Sequence, residues 1–181
     1  RYPETFELAL TAADVVRIHG AGKIASMIGM EGGHSIGNSL GVLRMMYAVG
    51  ARYMTITHWK NTDWADAATD APEHGGLSSF GKEVIREMNR LGMLVDLSQV
   101  SAKTMGDPLK VPKAPVILSR PGACAINPLP RNVPDTVLKK VKRNKGVVMG
   151  DFLQSYVSEE VWRHGAAARA EKARLEAMHL G

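Results

Sequence analysis

The stretch IASMIGMEGGHSIGNSLGVLRMMYAVGARYMTITH, residues 24–58, decides the fold. It opens on a short apolar run of buried-strand character at 24–30, passes through a glycine-rich turn, and then sets apolar residues at helical spacing over 39–49. A second apolar run, 52–58, closes on Thr57-His58. Strand, helix and strand in succession form the unit of a parallel sheet, because parallel neighbours need a crossover long enough to hold a helix.

Working outward, the rhythm continues. Residues 79–91 read as a helix, with Ser79 as N-cap and Gly92 as its stop. A strand at 93–97, a helix from about Ser101, a strand at 114–119, a helix from Pro134 and a strand at 146–152 follow. Pro134 suits a first helical position, where the missing N–H costs nothing. Residues 158–180, rich in Ala, Glu and Arg, read as one long amphipathic helix. Five strand–helix units predict an α/β fold with a parallel sheet covered by helices, either doubly wound or part of a barrel. Two long loops, 59–77 and 120–133, fall at the carboxyl ends of strands, where such folds bind ligands.

The chain has 181 residues, 45% hydrophobic and 23% charged, which suits one globular core. It falls short of the roughly 250 residues of a complete eight-unit barrel. Its first residue is Arg1 rather than methionine, so the expectation is a chain processed or cut from a longer one. A single cysteine, Cys124, excludes an internal disulfide and fits a reducing, cytoplasmic setting. No apolar run reaches the ~18 residues that span a bilayer. The net charge of +5 permits an acidic partner without requiring one. The basic run at 139–145 lacks aromatic or base-reading companions, so nucleic acid is not an expected partner.

The chemistry lies at the strand ends. They carry Glu31-Gly32-Gly33-His34, Thr57-His58, Asp96 with Ser98-Gln99, Ser119-Arg120, and Asp151. Polar residues converging from several strands are what a catalytic face needs, although any strand also turns polar as it reaches water. Glu31 could hold a cation with its flanking glycines allowing close approach, or it could be a solvated residue beside a turn. No dinucleotide or P-loop fingerprint is present. The loop DWADAATDAPEH, 63–74, matches no calcium loop and reads as solvated, with Trp64 packed. Cys124 has no histidine beside it and is not an expected nucleophile.

With these residues assembled, the chain resembles the membrane (renal-type) dipeptidase family of zinc metallopeptidases, in its bacterial branch. The resemblance rests on IGMEGGHSIGNSLGVLRMMYAVGARYMTITHWKNTDWAD, EHGGLSSFGKEVIREMNRLGMLVDLSQVS, APVILS and PRNVPDTVLKKVK. It implies a (βα)8 barrel of the TIM type in which two zinc ions activate a water against dipeptides, and makes residues 1–181 a single partial barrel domain, its middle five units. The carboxylate that bridges the zincs falls on Glu31. A histidine that contacts substrate falls on His58, the arginine that grips the substrate carboxylate on Arg131, and a substrate-contacting tyrosine on Tyr156.

Two departures are specific. Where the family has histidine ligands this chain reads Gln99 and Arg120. An amide is a poor zinc ligand, and a guanidinium has no lone pair to offer. The family's His-x-Asp pair and a later aspartate fall outside residues 1–181, so the resemblance leaves Glu31 as the one family ligand in this chain. Arg120 is then expected to pair with Glu31 in place of a zinc, and the chain alone to hydrolyse little or nothing. Three readings follow: part of a dipeptidase, an inactive relative that binds small peptides or a protein, or a structural half-barrel. The open edges near 24–30 and 146–152 are expected to pair with another chain.

Overall fold

The computed structural model describes residues 2–110 and 114–179. Five strands form one parallel sheet in sequential order: β3 (Ile28–Glu31), β4 (Ala51–Thr55), β5 (Leu94–Asp96), β6 (Ile117–Leu118) and β7 (Val147–Val148). The crossovers carry α2 (Leu40–Ala48), α3 (Ser79–Leu91), α4 (Ala102–Gly106) and α5 (Asp135–Asn144). Alternation along the strands sorts the two faces. Met30, Met54 and Val95 are register partners and lie in the core, which α3 joins through Val84, Ile85 and Met88 and α5 through Val137 and Val141. Glu31, Thr55 and Asp96 form the next row and end their strands together.

The helix starts are set by side-chain caps. Ser39 Oγ accepts from Val42 N–H at the start of α2, and Ser101 Oγ from Thr104 N–H at the start of α4. For α3 the cap is Ser78 rather than the expected Ser79, its Oγ accepting from Gly81 N–H. Gly81 is there because helix and loop touch: a Cβ would lie 2.5 Å from the Trp64 carbonyl oxygen. Gly92 ends α3 at φ +80°, as expected. Pro134 sits at the N-cap of α5, one position before the place expected for it.

Several expectations need correction. The run 24–30 is two strands, not one. β2 (Ile24–Ser26) pairs in parallel with β1 (Phe6–Leu8) in a separate sheet, while β3 begins at Ile28 with a register shift between Ile28 and Gly29. Gly29 allows the Tyr53 ring to lie against the backbone, where a Cβ would be 2.0 Å from it. β1 and α1 (Ala12–Gly20) were not foreseen, although Thr11 and Asp14 form a capping box at the head of α1. The strands of 52–58, 114–119 and 146–152 are shorter than their apolar runs, because the chain leaves the ladder as it reaches the strand-end loops.

The last helix, α7 (Glu159–His179), follows a short α6 (Gln154–Val157) and buries no residue, so it is not the amphipathic helix expected; Leu180 lies outside the described residues. The loop 63–74 is not solvated as a whole. Trp64, Ala65, Asp66 and Ala67 are buried, and the Asp66 carboxylate accepts from the N–H groups of Glu73, His74 and Gly76. Those bonds outweigh burial and hold its carboxyl below the usual range.

The sheet's outer strands, β3 and β7, are both open, and apolar side chains collect beside them. Ile28, Val147, Val148 and Met149 are exposed, and Phe152 is 91% exposed. On the opposite side, Glu87 of α3 ties the helices together by accepting from Arg90 at 2.7 Å and from Arg44 of α2 at 2.6 Å. Arg90, then Arg44, pull its carboxyl down to about 2 from an ordinary 4.5. A carboxyl depressed in the fold stabilises above its unfolded pKa, and the contribution fades as pH falls toward the folded one. Glu87→Gln should cost about 1–2 kcal/mol near neutral pH, allowing for the exposed arginines. In urea unfolding the gap to the parent should shrink between pH 7 and pH 3; a constant gap would contradict the assignment.

Candidate functional site

Asp96 organises the strand ends. It is 0% exposed, and its two oxygens accept from Thr55 Oγ1 at 3.0 Å, Ser119 Oγ at 2.5 Å, Ser98 N at 2.9 Å and Ser119 N at 3.1 Å. A buried carboxylate persists only when donors surround it, and here they come from β4 and from the segments that follow β5 and β6. Ser98 Oγ then accepts from Arg120 N at 3.0 Å, and Thr57 Oγ1 donates to the Gln99 carbonyl at 3.2 Å. Gln99 adopts φ +66°, uncommon for a residue other than glycine, and its carbonyl is also bound by Ala68 N at 2.8 Å. The positions Gln99 and Arg120 are therefore fixed from below.

From those positions the side chains converge on Glu31. Arg120 Nη2 lies 2.6 Å from Glu31 Oε1, so the expected pairing is present. Gln99 Nε2 donates to the same oxygen at 3.3 Å, and His58 Nε2 lies 3.3 Å from it. The Arg120 guanidinium is the main reason the Glu31 carboxyl sits below its ordinary value; burial opposes it, and Gln99 and His58 add smaller pulls downward. Gly32, at φ +95°, makes the turn that brings Glu31 beside His58. Gly29, Glu31, Tyr53, Thr55, Ser119 and Arg120 enclose a cavity of about 340 Å3 on this face.

Arg131 and Tyr156 form a second cluster. Arg131 is 8% exposed; its Nη1 donates to the Tyr156 hydroxyl, and its guanidinium carbon stands 3.8 Å from the Tyr156 ring centroid. Its Nη2 donates to the Arg120 carbonyl at 2.8 Å, so one residue links the two clusters. Asn132 braces the loop, donating to the Asn127 carbonyl at 2.8 Å and the Tyr156 carbonyl at 3.0 Å. Trp59, next to His58, packs edge-on to the His58 ring at 5.4 Å between centroids.

All six residues singled out in the sequence thus stand on the strand-end face: Glu31, His58, Gln99 and Arg120 in contact, Arg131 and Tyr156 beside them. The sequence named Asp96 as a strand-end residue but missed its role as anchor; the clue was the serine in each of DLSQ and ILSR. Asp151, also a strand-end candidate, instead caps the turn into α6 by accepting from Leu153 N at 2.9 Å. Cys124 donates to the Asn132 carbonyl at 3.0 Å, and burial pushes its thiol up, which suits a structural role.

These residues do not fit a zinc ion. Among the described residues no group of three or more His, Cys, Asp or Glu side chains could hold a metal. Glu31 meets a guanidinium where a metal would need lone pairs. Removing that guanidinium has a signed consequence: with Arg120→Met the Glu31 carboxyl should titrate closer to 4.5. The stability gap between parent and variant should be present above that pH and narrow as acid protonates Glu31. Carbon-detected NMR of the Glu31 carboxyl is the check, and an unchanged titration would show that Arg120 is not its partner in solution.

The curated relatives include dipeptidase tcpJ of Claviceps purpurea (strain 20.1), 50% identical over 153 residues, and dipeptidase verJ of Clonostachys rogersoniana, 44% identical over 161. These matches take in 84% and 88% of the chain but only 36% and 42% of the relatives, so the chain spans well under half their length. A metallo peptidase from Rhodobacter sphaeroides, solved with a phosphinate mimic of the dipeptide L-Ala-D-Ala, superposes with a TM-score of 0.80 at 28% identity. That match covers 85% of this chain and 45% of the other. The probable dipeptidase PvdM from Pseudomonas aeruginosa gives 0.79 at 29%, over 82% and 39%. The sequence profile described as membrane dipeptidase (Peptidase family M19) matches residues 1–178. With that match over nearly its whole length and a five-stranded parallel sheet, the chain belongs to the membrane dipeptidase family, Peptidase family M19.

Proposed function

We propose that this chain is the peptide-recognition portion of a dipeptidase-type TIM barrel, and that by itself it binds dipeptides while hydrolysing little or none. The observation that carries this is the 2.6 Å ion pair between Arg120 and Glu31. Hydrolysis in the family depends on metal, zinc by the resemblance, and the carboxylate that would share it here is neutralised by a side chain of the same fold.

Recognition is better supplied than hydrolysis. Arg131 is a buried guanidinium whose hydrogen bonds go to a hydroxyl and a carbonyl rather than to a carboxylate. A buried charge calls for a counter-charge, and a peptide's terminal carboxylate matches the planar fork of a guanidinium. Tyr156 holds the fork from one side. His58, at the rim of the Glu31 cluster, can donate to the oxygen of the peptide carbonyl. The dipeptide mimic bound to the Rhodobacter relative supports a ligand of this size and class. The exposed edges β3 and β7 belong to the same proposal, as surfaces that pair with another chain.

Calorimetric titration with Ala-Ala tests recognition. Arg131→Lys and Tyr156→Phe should both weaken binding, Arg131→Lys by about ten- to a hundredfold, the value of charge-assisted bonds lost. Circular dichroism checks that each variant folds. Neither the parent nor the double variant Gln99→His with Arg120→His should turn over Ala-Ala in added zinc. Turnover by the parent would overturn the proposal, and turnover by the double variant would show that residues 1–181 carry enough ligands for catalysis.

A further inference from the structure

Beside the Arg131 cluster lies a cleft of about 590 Å3 walled by Trp59, Leu129, Tyr156 and Trp162, with Arg131 and Arg169 as its charged groups. No acidic residue is among the described residues that line it. Arg131 brings a nitrogen with no hydrogen-bond partner, the buried Nε. Arg169 brings an uncommitted charge. Two other arginines of α7 are satisfied along the helix, Arg163 by Glu159 at 2.6 Å and Arg174 by Glu171 at 2.7 Å. The positions three and four residues from Arg169 hold Gly165, Ala166, Lys172 and Ala173, so the helix offers it no carboxylate. Among the described residues it enters no ion pair.

A terminal carboxylate accounts for Arg131 alone. A second guanidinium on the same cleft, with tryptophan rings on its walls, calls for a second anion carried on a short apolar stem. We propose that the cleft selects peptides whose C-terminal residue is acidic. The terminal carboxylate sits at Arg131, the side-chain carboxylate of Asp or Glu reaches Arg169, and its methylenes lie against Trp59 and Trp162. This rests on the dipeptide reading above and adds to it a substrate preference and a determinant on the last helix. Arg169 acts by contact with the ligand and has no part in the Glu31 cluster.

The test compares isosteric pairs by calorimetry, Ala-Glu against Ala-Gln and Ala-Asp against Ala-Asn, at low ionic strength. The parent chain should bind the acidic member about five- to tenfold more tightly, the range expected of a partly exposed charge pair. Arg169→Gln, a change on an exposed helix face, should erase that preference, so that each acidic peptide binds no more tightly than its amide partner. Arg131→Lys should weaken all four peptides alike. Equal binding of the acidic and amide peptides by the parent would overturn this proposal and leave the dipeptide reading standing. A preference that survives Arg169→Gln would overturn the assignment to Arg169, and binding of none of the four would overturn both.

Discussion

The buried carboxylate of Asp96 is the constraint on which the rest depends. Four donors from three neighbouring strand ends meet it, two of them backbone N–H groups. A buried carboxyl group bonded in this way tolerates no loose geometry, because each partner lost leaves desolvated polar atoms behind. Its effect is to hold the Ser98-Gln99 and Ser119-Arg120 segments in fixed relation to β4. Everything functional on this face grows from that frame. Gln99 and Arg120 reach Glu31 from it, and the Arg120 carbonyl takes the hydrogen bond that positions Arg131.

The family to which the chain belongs is described as membrane dipeptidase. In this chain the cation beside Glu31 is the Arg120 guanidinium. A metal ion offers open coordination positions; a guanidinium offers only N–H donors. The Arg120 guanidinium balances the charge of Glu31, and under the proposal above it stands where the water-activating metal would be. Arg131, Tyr156 and the rings of Trp59 and Trp162 line a cationic, apolar-walled cleft, the feature from which the proposed peptide recognition is argued.

Much of this was legible in residues. Apolar runs alternating with helical spacing gave the succession of strands and helices, while the sequential strand order β3-β4-β5-β6-β7 is set by the fold. Glycine and serine marked the helix ends to within a residue at Ser78 and Gly92. The split at Met27 was not legible, because both halves of 24–30 are apolar and only their partners differ: β1 for one, β4 for the other. The burial of Asp66 was hidden for a similar reason. Its donors are backbone N–H groups supplied by the fold of its own loop, and backbone leaves no mark in a sequence. At the site, the pairing of Arg120 with Glu31 was foreseen through the resemblance, because a cation stands where the family places one, whereas the hydrogen bond from Gln99 to Glu31 was not. The place of Arg169 beside the cleft was not legible either, because it depends on where the last helix lands.

The central claim is that Arg120 stands where a metal would be. It is tested most directly by titrating zinc into the chain by calorimetry, with Glu31→Gln as the control. The account predicts heats of dilution alone, the same for parent and control. Saturable one-to-one uptake by the parent that disappears in Glu31→Gln would contradict it.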